Sequence, residues 1–261
     1  MQTEKIVNHI VNWLSDYLQN SKQKGFVIGI SGGIDSAVTS TLCAMTDFPV
    51  LCLEMPIHQA ENQVTRAWNH IEWLKSNFTK IEGKSVNLTS VYDQFVKEIE
   101  ESENEHAYNL SLANTRARFR MSTLYYYAGL NGYLVAGTGN KVEDFGVGFF
   151  TKYGDGGVDI SPIADLMKSE VYEIARFLGI NQDVQKAVPT DGLFGDNRTD
   201  EDQIGATYDE LEWAMKQYDS HQLDDFTGRE REVFEIYTKR HKANLHKMMP
   251  IPICEIPKEW K

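Results

Sequence analysis

The loop Ser31-Gly32-Gly33-Ile34-Asp35-Ser36 follows directly on the apolar run Phe26-Val27-Ile28-Gly29-Ile30. A short, β-prone apolar run reads as a buried strand, and Ala37 to Met45 continues as a helix, so the loop sits where a strand hands over to a helix. Glycines there let the backbone turn sharply and bring its N–H groups close to a ligand. The first turn of the helix adds unpaired donors and a favourable dipole, a setting that attracts phosphate oxygens. The Gly-Lys-Ser/Thr ending of a Walker A loop is missing, so this is a different kind of phosphate loop.

This strand–loop–helix unit opens an alternation. Before it, Ile6, Val7, Ile10, Val11, Leu14 and Leu18 fall at helical spacing, so residues 1–24 read as one amphipathic helix rather than a signal peptide. After it, Val50–Met55 reads as a strand, Ala60–Asn77 as a helix and Thr79–Ile81 as a weak strand. Val91–Ile99 and Leu110–Leu130 are helical, and Tyr133–Ala136 is a strand running into Gly137-Thr138. The pattern predicts an α/β fold, a doubly wound parallel sheet flanked by helices, with ligands at the carboxyl edges of its strands. Both Ser31–Ser36 and Gly137–Glu143 would lie on that edge. A further helix is read over Asp165–Leu178, and the polar stretch 190–202 reads as a lid loop. With no repeat and no linker in its 261 residues, the chain is read as one domain.

A net charge of −12 argues against nucleic acid or an anionic membrane as partner. It also means that a polyanionic nucleotide must be met by locally gathered cations and by Mg²⁺. Three cysteines make no disulfide framework, and the cytoplasm is the natural compartment. Cys43 and Cys52 lie in apolar runs that read as buried, and Cys254 sits in the tail. No HExxH or Cys/His spacing points to zinc.

Three segments narrow the chemistry. Arg118 and Arg120, two apart on a helix, cannot share one face, so at most one enters a given site. Thr138 ends a strand and can hydrogen-bond a nucleotide, while Glu143 can join Asp35 as a hard oxygen ligand for Mg²⁺. In Gly148–Asp159, three glycines within four positions forbid a regular element, with Lys152 and Asp159 flanking the bend. Lys168 opens the next helix, where the dipole disfavours a cation unless an anion faces it.

The SGGIDS loop resembles that of the N-type ATP pyrophosphatases. Phe150-Thr151-Lys152-Tyr153-Gly154-Asp155-Gly156-Gly157, followed by Asp159, Lys168, Thr190, Thr207-Tyr208 and His246-Lys247, resembles the NAD synthetases, in that family's order from Lys24 to Pro250. The resemblance implies an adenine-nucleotide α-hydrolase-like fold and ATP-dependent amidation of deamido-NAD through an acyl adenylate. No covalent protein nucleophile is implied. ATP is then assigned to Gly29, Ile30, Ser31, Gly32, Gly33, Ile34, Asp35, Ser36, Thr138, Lys168 and Thr190, and Mg²⁺ to Asp35 and Glu143. Deamido-NAD is assigned to Arg118, Lys152, Asp159, His246 and Lys247. His241-Lys242 repeats the late pair five residues earlier, and the choice of His246-Lys247 rests on its proximity to Pro250. A homodimer is implied in the same way. Free ammonia is the expected nitrogen source, because the 24 residues before the first strand are too few for an amidase. The same motifs weigh against a tRNA-thiolating or GMP-forming pyrophosphatase and against a nucleotide sensor without activity.

Overall fold

A computed structural model describes residues 1–190 and 199–261. Helix α1 (Thr3–Asn20) precedes β1 (Phe26–Gly29), α2 (Ile34–Met45), β2 (Val50–Glu54), α3 (Glu61–Asn77) and β3 (Ile81–Ser85). Then come α4 (Thr89–Glu98), the long α5 (Glu105–Asn131), β4 (Leu134–Val135) and a π-helical turn over Val142–Val147. The chain closes with α6 (Lys168–Phe177), α7 (Gln182–Gln185), α8 (Asp200–Ile204), α9 (Tyr208–Gln217) and α10 (Gly228–Met248).

The four strands among the described residues are parallel, in the order β3-β2-β1-β4. Strand residues alternate between the two faces. Phe26, Ile28, Val50 and Cys52 therefore join the core packed under α1, α2 and α6, while Val27, Leu51 and Leu53 join a second core with Tyr92 of α4. Phe119 and Leu124 of α5 pack against that second core. Covered on both faces, the sheet is doubly wound as the alternation predicts. A third apolar cluster gathers Val142 and Val147 of the π-turn with Leu211 and Ala214 of α9 and Val233, Phe234 and Tyr237 of α10.

The strand order reverses at β1: β2 lies on one side of it and β4 on the other. The connections after β1 and β4 diverge there, which opens a crevice at the carboxyl edge. The Ser31–Ser36 loop and the Gly137–Glu143 segment both border it, as the sequence predicts.

Several expectations shift. The weak strand read at Thr79–Ile81 lies instead at Ile81–Ser85. As an edge strand it carries Glu82 and Lys84 outward, which breaks the apolar signature; Gly83 makes room for Ile71, whose Cγ2 would lie 2.4 Å from an added Cβ. The helix expected from Asp165 begins at Lys168. The turn over Val142–Val147 has no sequence signal, although π-helical turns often mark functional sites. The lid reading at 190–202 falls largely on residues 191–198, outside the described part, while its end is helical: Thr199 caps α8 by accepting from the N–H of Asp202 at 3.0 Å. Cys43 and Cys52 are buried, as read, and Cys254 is exposed. No helix among the described residues is long and apolar enough to cross a membrane.

One buried polar contact holds α2 against α3. His70 is fully buried, with Nε2 2.9 Å from Ser40 Oγ and its ring stacked on Trp73. Burial lowers its pKa from 6.5 to about 4, against a smaller opposing effect of the Ala37 backbone. An unfolded chain thus takes up a proton near pH 6.5 that the folded one refuses until about pH 4, so stability is lost as pH falls across that interval. His70→Gln should flatten this acid limb. Melting temperatures between pH 7 and 4.5 check it, and an unchanged limb would exclude His70 as its source.

Candidate functional site

The crevice holds a cavity of about 290 Å³. Its wall includes Gly29, Ile30, Ser31, Gly33, Ile34, Asp35, Ser36, Thr138, Glu143, Lys168 and Thr190. Every residue assigned to ATP from the sequence therefore lines one cavity, except Gly32. Gly32 takes φ +81°, and a Cβ there would come 2.9 Å from the Gln63 carbonyl, so the turn itself requires glycine.

The loop is braced from within. Ser36 Oγ donates to the Gly33 carbonyl at 3.0 Å and lies 3.1 Å from Ser31 Oγ; Ser31 Oγ accepts the Gly33 N–H at 3.1 Å. A hydroxyl has one proton to donate. With that of Ser36 spent on Gly33, Ser31 donates to Ser36, and both hydroxyls hold the shape of the turn.

Lys168 provides the main electrostatic contact of the site. Its Nζ lies 2.6 Å from Asp35 Oδ2 and 3.0 Å from Glu143 Oε1, and its side chain is only 4% exposed. A cation at the first residue of a helix opposes the dipole, and these two carboxylates supply the anion that makes it tenable. Asn140, fully buried, ties the two carboxylate-bearing segments together. Its amide donates to Asp35 Oδ1 at 3.2 Å, and its side-chain carbonyl accepts from the N–H groups of Val142 and Glu143. Tyr208 OH donates to Glu143 Oε1 at 2.6 Å. Burial alone would raise the pKa of Glu143, but Lys168, Tyr208 and Asn140 together hold it below the ordinary value. For Lys168, burial opposes the charge and the two carboxylates outweigh it, so the ammonium is held charged.

Two hard carboxylates converging on one cation fit Mg²⁺. Among the described residues, no group of three or more His, Cys, Asp or Glu is placed to hold a metal. A two-carboxylate set suits an ion that keeps several waters and takes phosphate oxygens.

The residues assigned to deamido-NAD fall elsewhere. Arg118 Nη2 reaches the Lys152 carbonyl at 3.4 Å, and Lys152 Nζ donates to the His246 carbonyl at 2.7 Å. Lys247 Nζ donates to the carbonyls of Gly148 and Phe150. These four residues meet around the 148–152 turn and dock it on the end of α10. His241 reaches the preceding π-turn instead, with Nδ1 2.7 Å from the Gly146 carbonyl. Asp159 stands apart: Tyr125 OH donates to it at 2.9 Å and the Val135 N–H at 2.8 Å, tying it to the end of β4. None of these five lines the cavity.

Other cavity residues carried no assignment from sequence. Arg120 lines it, donating to the Met55 carbonyl at 3.0 Å and to Gln59 Oε1 at 2.8 Å. It faces the cavity while Arg118 faces Lys152, as their two-residue spacing requires. Asp144 and Asp155 also line the wall. The Asp144 carboxylate presses on Gly139, where a Cβ would come within 2.2 Å of both oxygens. Spacing within the TGNKVED segment offers no signal for this approach, because it depends on the π-turn.

The comparisons with known proteins agree with one another. Residues 6–250 match the profile of the NAD synthase family. An NH₃-dependent NAD⁺ synthetase of Carboxydothermus hydrogenoformans is 37% identical, over 87% of this chain and 91% of its own. Among solved structures, an NMN synthetase from Francisella tularensis superposes with TM-score 0.82 at 31% identity, covering 99% of both chains. An NH₃-dependent NAD synthetase from Campylobacter jejuni, in complex with nitrate, gives 0.78 at 28% identity, covering 98% of this chain and all of its own.

Burial, followed by the charges of Glu143, Asp155 and Asp35, raises the pKa of Asp144 from 3.8 to about 8, with Lys247 opposing. The folded chain keeps this proton up to about pH 8 while the unfolded chain loses it near 3.8, so stability falls as pH rises between those values. Asp144→Asn, which cannot ionise, should therefore gain in melting temperature over the parent as pH rises from 4 to 8 and hold that gain above. A pH series of thermal melts measures this; a constant difference across the range would reject it.

Proposed function

The chain belongs to the NAD synthase family, and on that premise we propose that it amidates the nicotinate carboxylate of deamido-NAD with free ammonia, consuming ATP. The observation that carries this reading is the gathering, in one cavity, of the SGGIDS loop with Asp35, Lys168 and Glu143. A carboxylate does not accept ammonia directly, since its leaving group would be oxide. Its oxygen attacks the α-phosphorus of ATP, pyrophosphate leaves, and an acyl adenylate forms. Ammonia then attacks the carbonyl carbon and AMP departs, giving the amide.

This chemistry needs positioning and charge stabilisation rather than a protein nucleophile. The backbone N–H groups of Gly32 and of residues 34–36, at the head of α2, are the proposed cradle for the phosphates. Thr138 and Thr190 bound the nucleotide, and Lys168 offsets charge on the departing pyrophosphate. Mg²⁺, held by Asp35 and Glu143, would add charge neutralisation at the same oxygens. Arg118, Lys152, Asp159, His246 and Lys247 are proposed for the second substrate. None of the three cysteines is needed: burial raises the Cys52 thiol to about 12 and pushes Cys43 well up.

We place the protein in the cytoplasm as a homodimer. Helix α5, 27 residues long, fully buries only Ala113, Ala117 and Ala128, while Tyr126 and Leu130 remain 64% and 67% exposed. Such a helix has apolar surface left for a partner.

A second reading is favoured by the likeness to the Francisella NMN synthetase. There the acceptor carboxylate would belong to the deamido mononucleotide, with the same chemistry at the nicotinate end.

The test is NAD formation by the purified chain with ATP, Mg²⁺, deamido-NAD and an ammonium salt, run beside ammonia-free glutamine and beside deamido-NMN. Product from ammonium and none from glutamine is expected. Absence of NAD would overturn the reading, and a preference for deamido-NMN would decide for the second. Asp35→Ala should lower pyrophosphate release on the order of a hundredfold or more with the fold intact. Lys168→Ala should chiefly impair ATP use and Asp159→Ala should chiefly raise KM for deamido-NAD; the same parameter moving in both would refute this division of the residues.

A further inference from the structure

Lys168 has more partners than a phosphate-binding lysine needs. Its ammonium bridges Asp35 and Glu143 and lies 4.7 Å from the centre of the Tyr208 ring. The Tyr208 hydroxyl donates to Glu143 Oε1, the same oxygen that the ammonium contacts. Two different groups therefore aim this carboxylate. One is a flexible lysine entering from α6, and the other is a phenol, 6% exposed, at the start of α9. The Tyr208 backbone is itself anchored, its N–H donating to Glu201 Oε1 at 2.9 Å. On the Asp35 side, Asn140 plays the fixed part.

We infer that Lys168 fills the cation position between Asp35 and Glu143 until nucleotide arrives, and that Tyr208 is the positioning residue that keeps Glu143 aimed at that position when the lysine leaves it. This rests on the reading of Asp35 and Glu143 as the Mg²⁺ ligands. Both carboxylates face the ammonium, so a metal held by the same two residues would compete with Nζ for that place. Ammonium and metal cannot share that space, and one must leave. Without nucleotide, Lys168 would give up two carboxylate partners from a position that is 4% exposed, an uncompensated buried charge. Triphosphate oxygens entering the same cavity give it new anionic partners. Metal and nucleotide then bind with positive coupling, equal in both directions by linkage. Tyr208 and Asn140 contact the carboxylates independently of Lys168, so the two ligands stay in place through the exchange.

The experiment is Mn²⁺ binding followed by electron paramagnetic resonance, on the whole purified chain, with and without α,β-methylene-ATP. The native protein alone should bind Mn²⁺ at least tenfold more weakly than with nucleotide. Lys168→Gln should tighten nucleotide-free Mn²⁺ binding tenfold or more and narrow the gap between the two states by a similar factor. Lys168→Met serves if the Gln variant does not fold, with circular dichroism as the check. Tyr208→Phe should weaken Mn²⁺ binding in the nucleotide complex several-fold and broaden its spectrum, effects that a merely structural role would not produce in the folded fraction. A folded Lys168 variant with unchanged or weaker nucleotide-free binding overturns the exchange, as does native protein that binds Mn²⁺ equally in both states. Unchanged binding in Tyr208→Phe overturns its positioning role. Failure of the underlying metal reading shows differently: Mn²⁺ binding in the nucleotide complex would then be indifferent to Asp35→Asn and Glu143→Gln.

Discussion

The bridge from Lys168 to Asp35 and Glu143 is the interaction on which the rest of this site depends. It joins the loop after β1, the π-turn after β4 and the first residue of α6, three segments that share no backbone ladder. Two buried carboxylates so close together would repel each other, and an ammonium alone at a helix N-terminus would oppose the dipole. Each unfavourable placement is made tenable by the other. Removing one partner of such a set leaves an uncompensated buried charge, so the arrangement behaves as a unit.

The sheet explains why these segments meet. Because β4 adds on the opposite side of β1 from β2, the crevice opens between the two strand ends that carry Asp35 and Glu143. The short β4 is extended by the Ala136–Ile160 bridge and by Asp159, whose carboxylate takes the Val135 N–H. Asp159 thus shapes the edge on which Thr138 stands, in addition to any contact it makes with a substrate. Farther out, Lys152 and Lys247 spend their donors on backbone carbonyls and dock the glycine-rich bend on α10. Those two cations sit with their charges only partly neutralised, since a carbonyl is a weaker partner than a carboxylate.

The third apolar cluster supports the site from behind the π-turn. Val142 and Val147 are core residues of the same π-turn that carries Glu143 and Asp144. Their burial against α9 and α10 fixes the turn, and Tyr208, at the head of α9, closes the circuit by hydrogen-bonding Glu143. Packing and electrostatics at this point are one structure: a change in the apolar contact would move the carboxylates.

Local order was legible in the amino-acid sequence by itself. Phe26–Gly29, the SGGIDS turn and α2 follow from apolar period and glycine chemistry, and so do the amphipathic α1 and the parallel alternation, because these depend on neighbours a few residues away. The residues that line the crevice were also legible, since they cluster in short motifs beside strand ends. The edge strand at Ile81–Ser85, with Glu82 and Lys84 turned outward, was misplaced because an edge loses the apolar signal. The π-turn, the Asp144–Gly139 approach and the roles of Asn140 and Tyr208 had no local signal at all. Lys168 lies 133 positions from Asp35 and Tyr208 lies 65 from Glu143. Periodicity carries information over one or two turns of helix, whereas the choice of partner across such separations is made by how the sheet and its helices pack. The residue types were set in the chain; only the tertiary structure decided which charges meet.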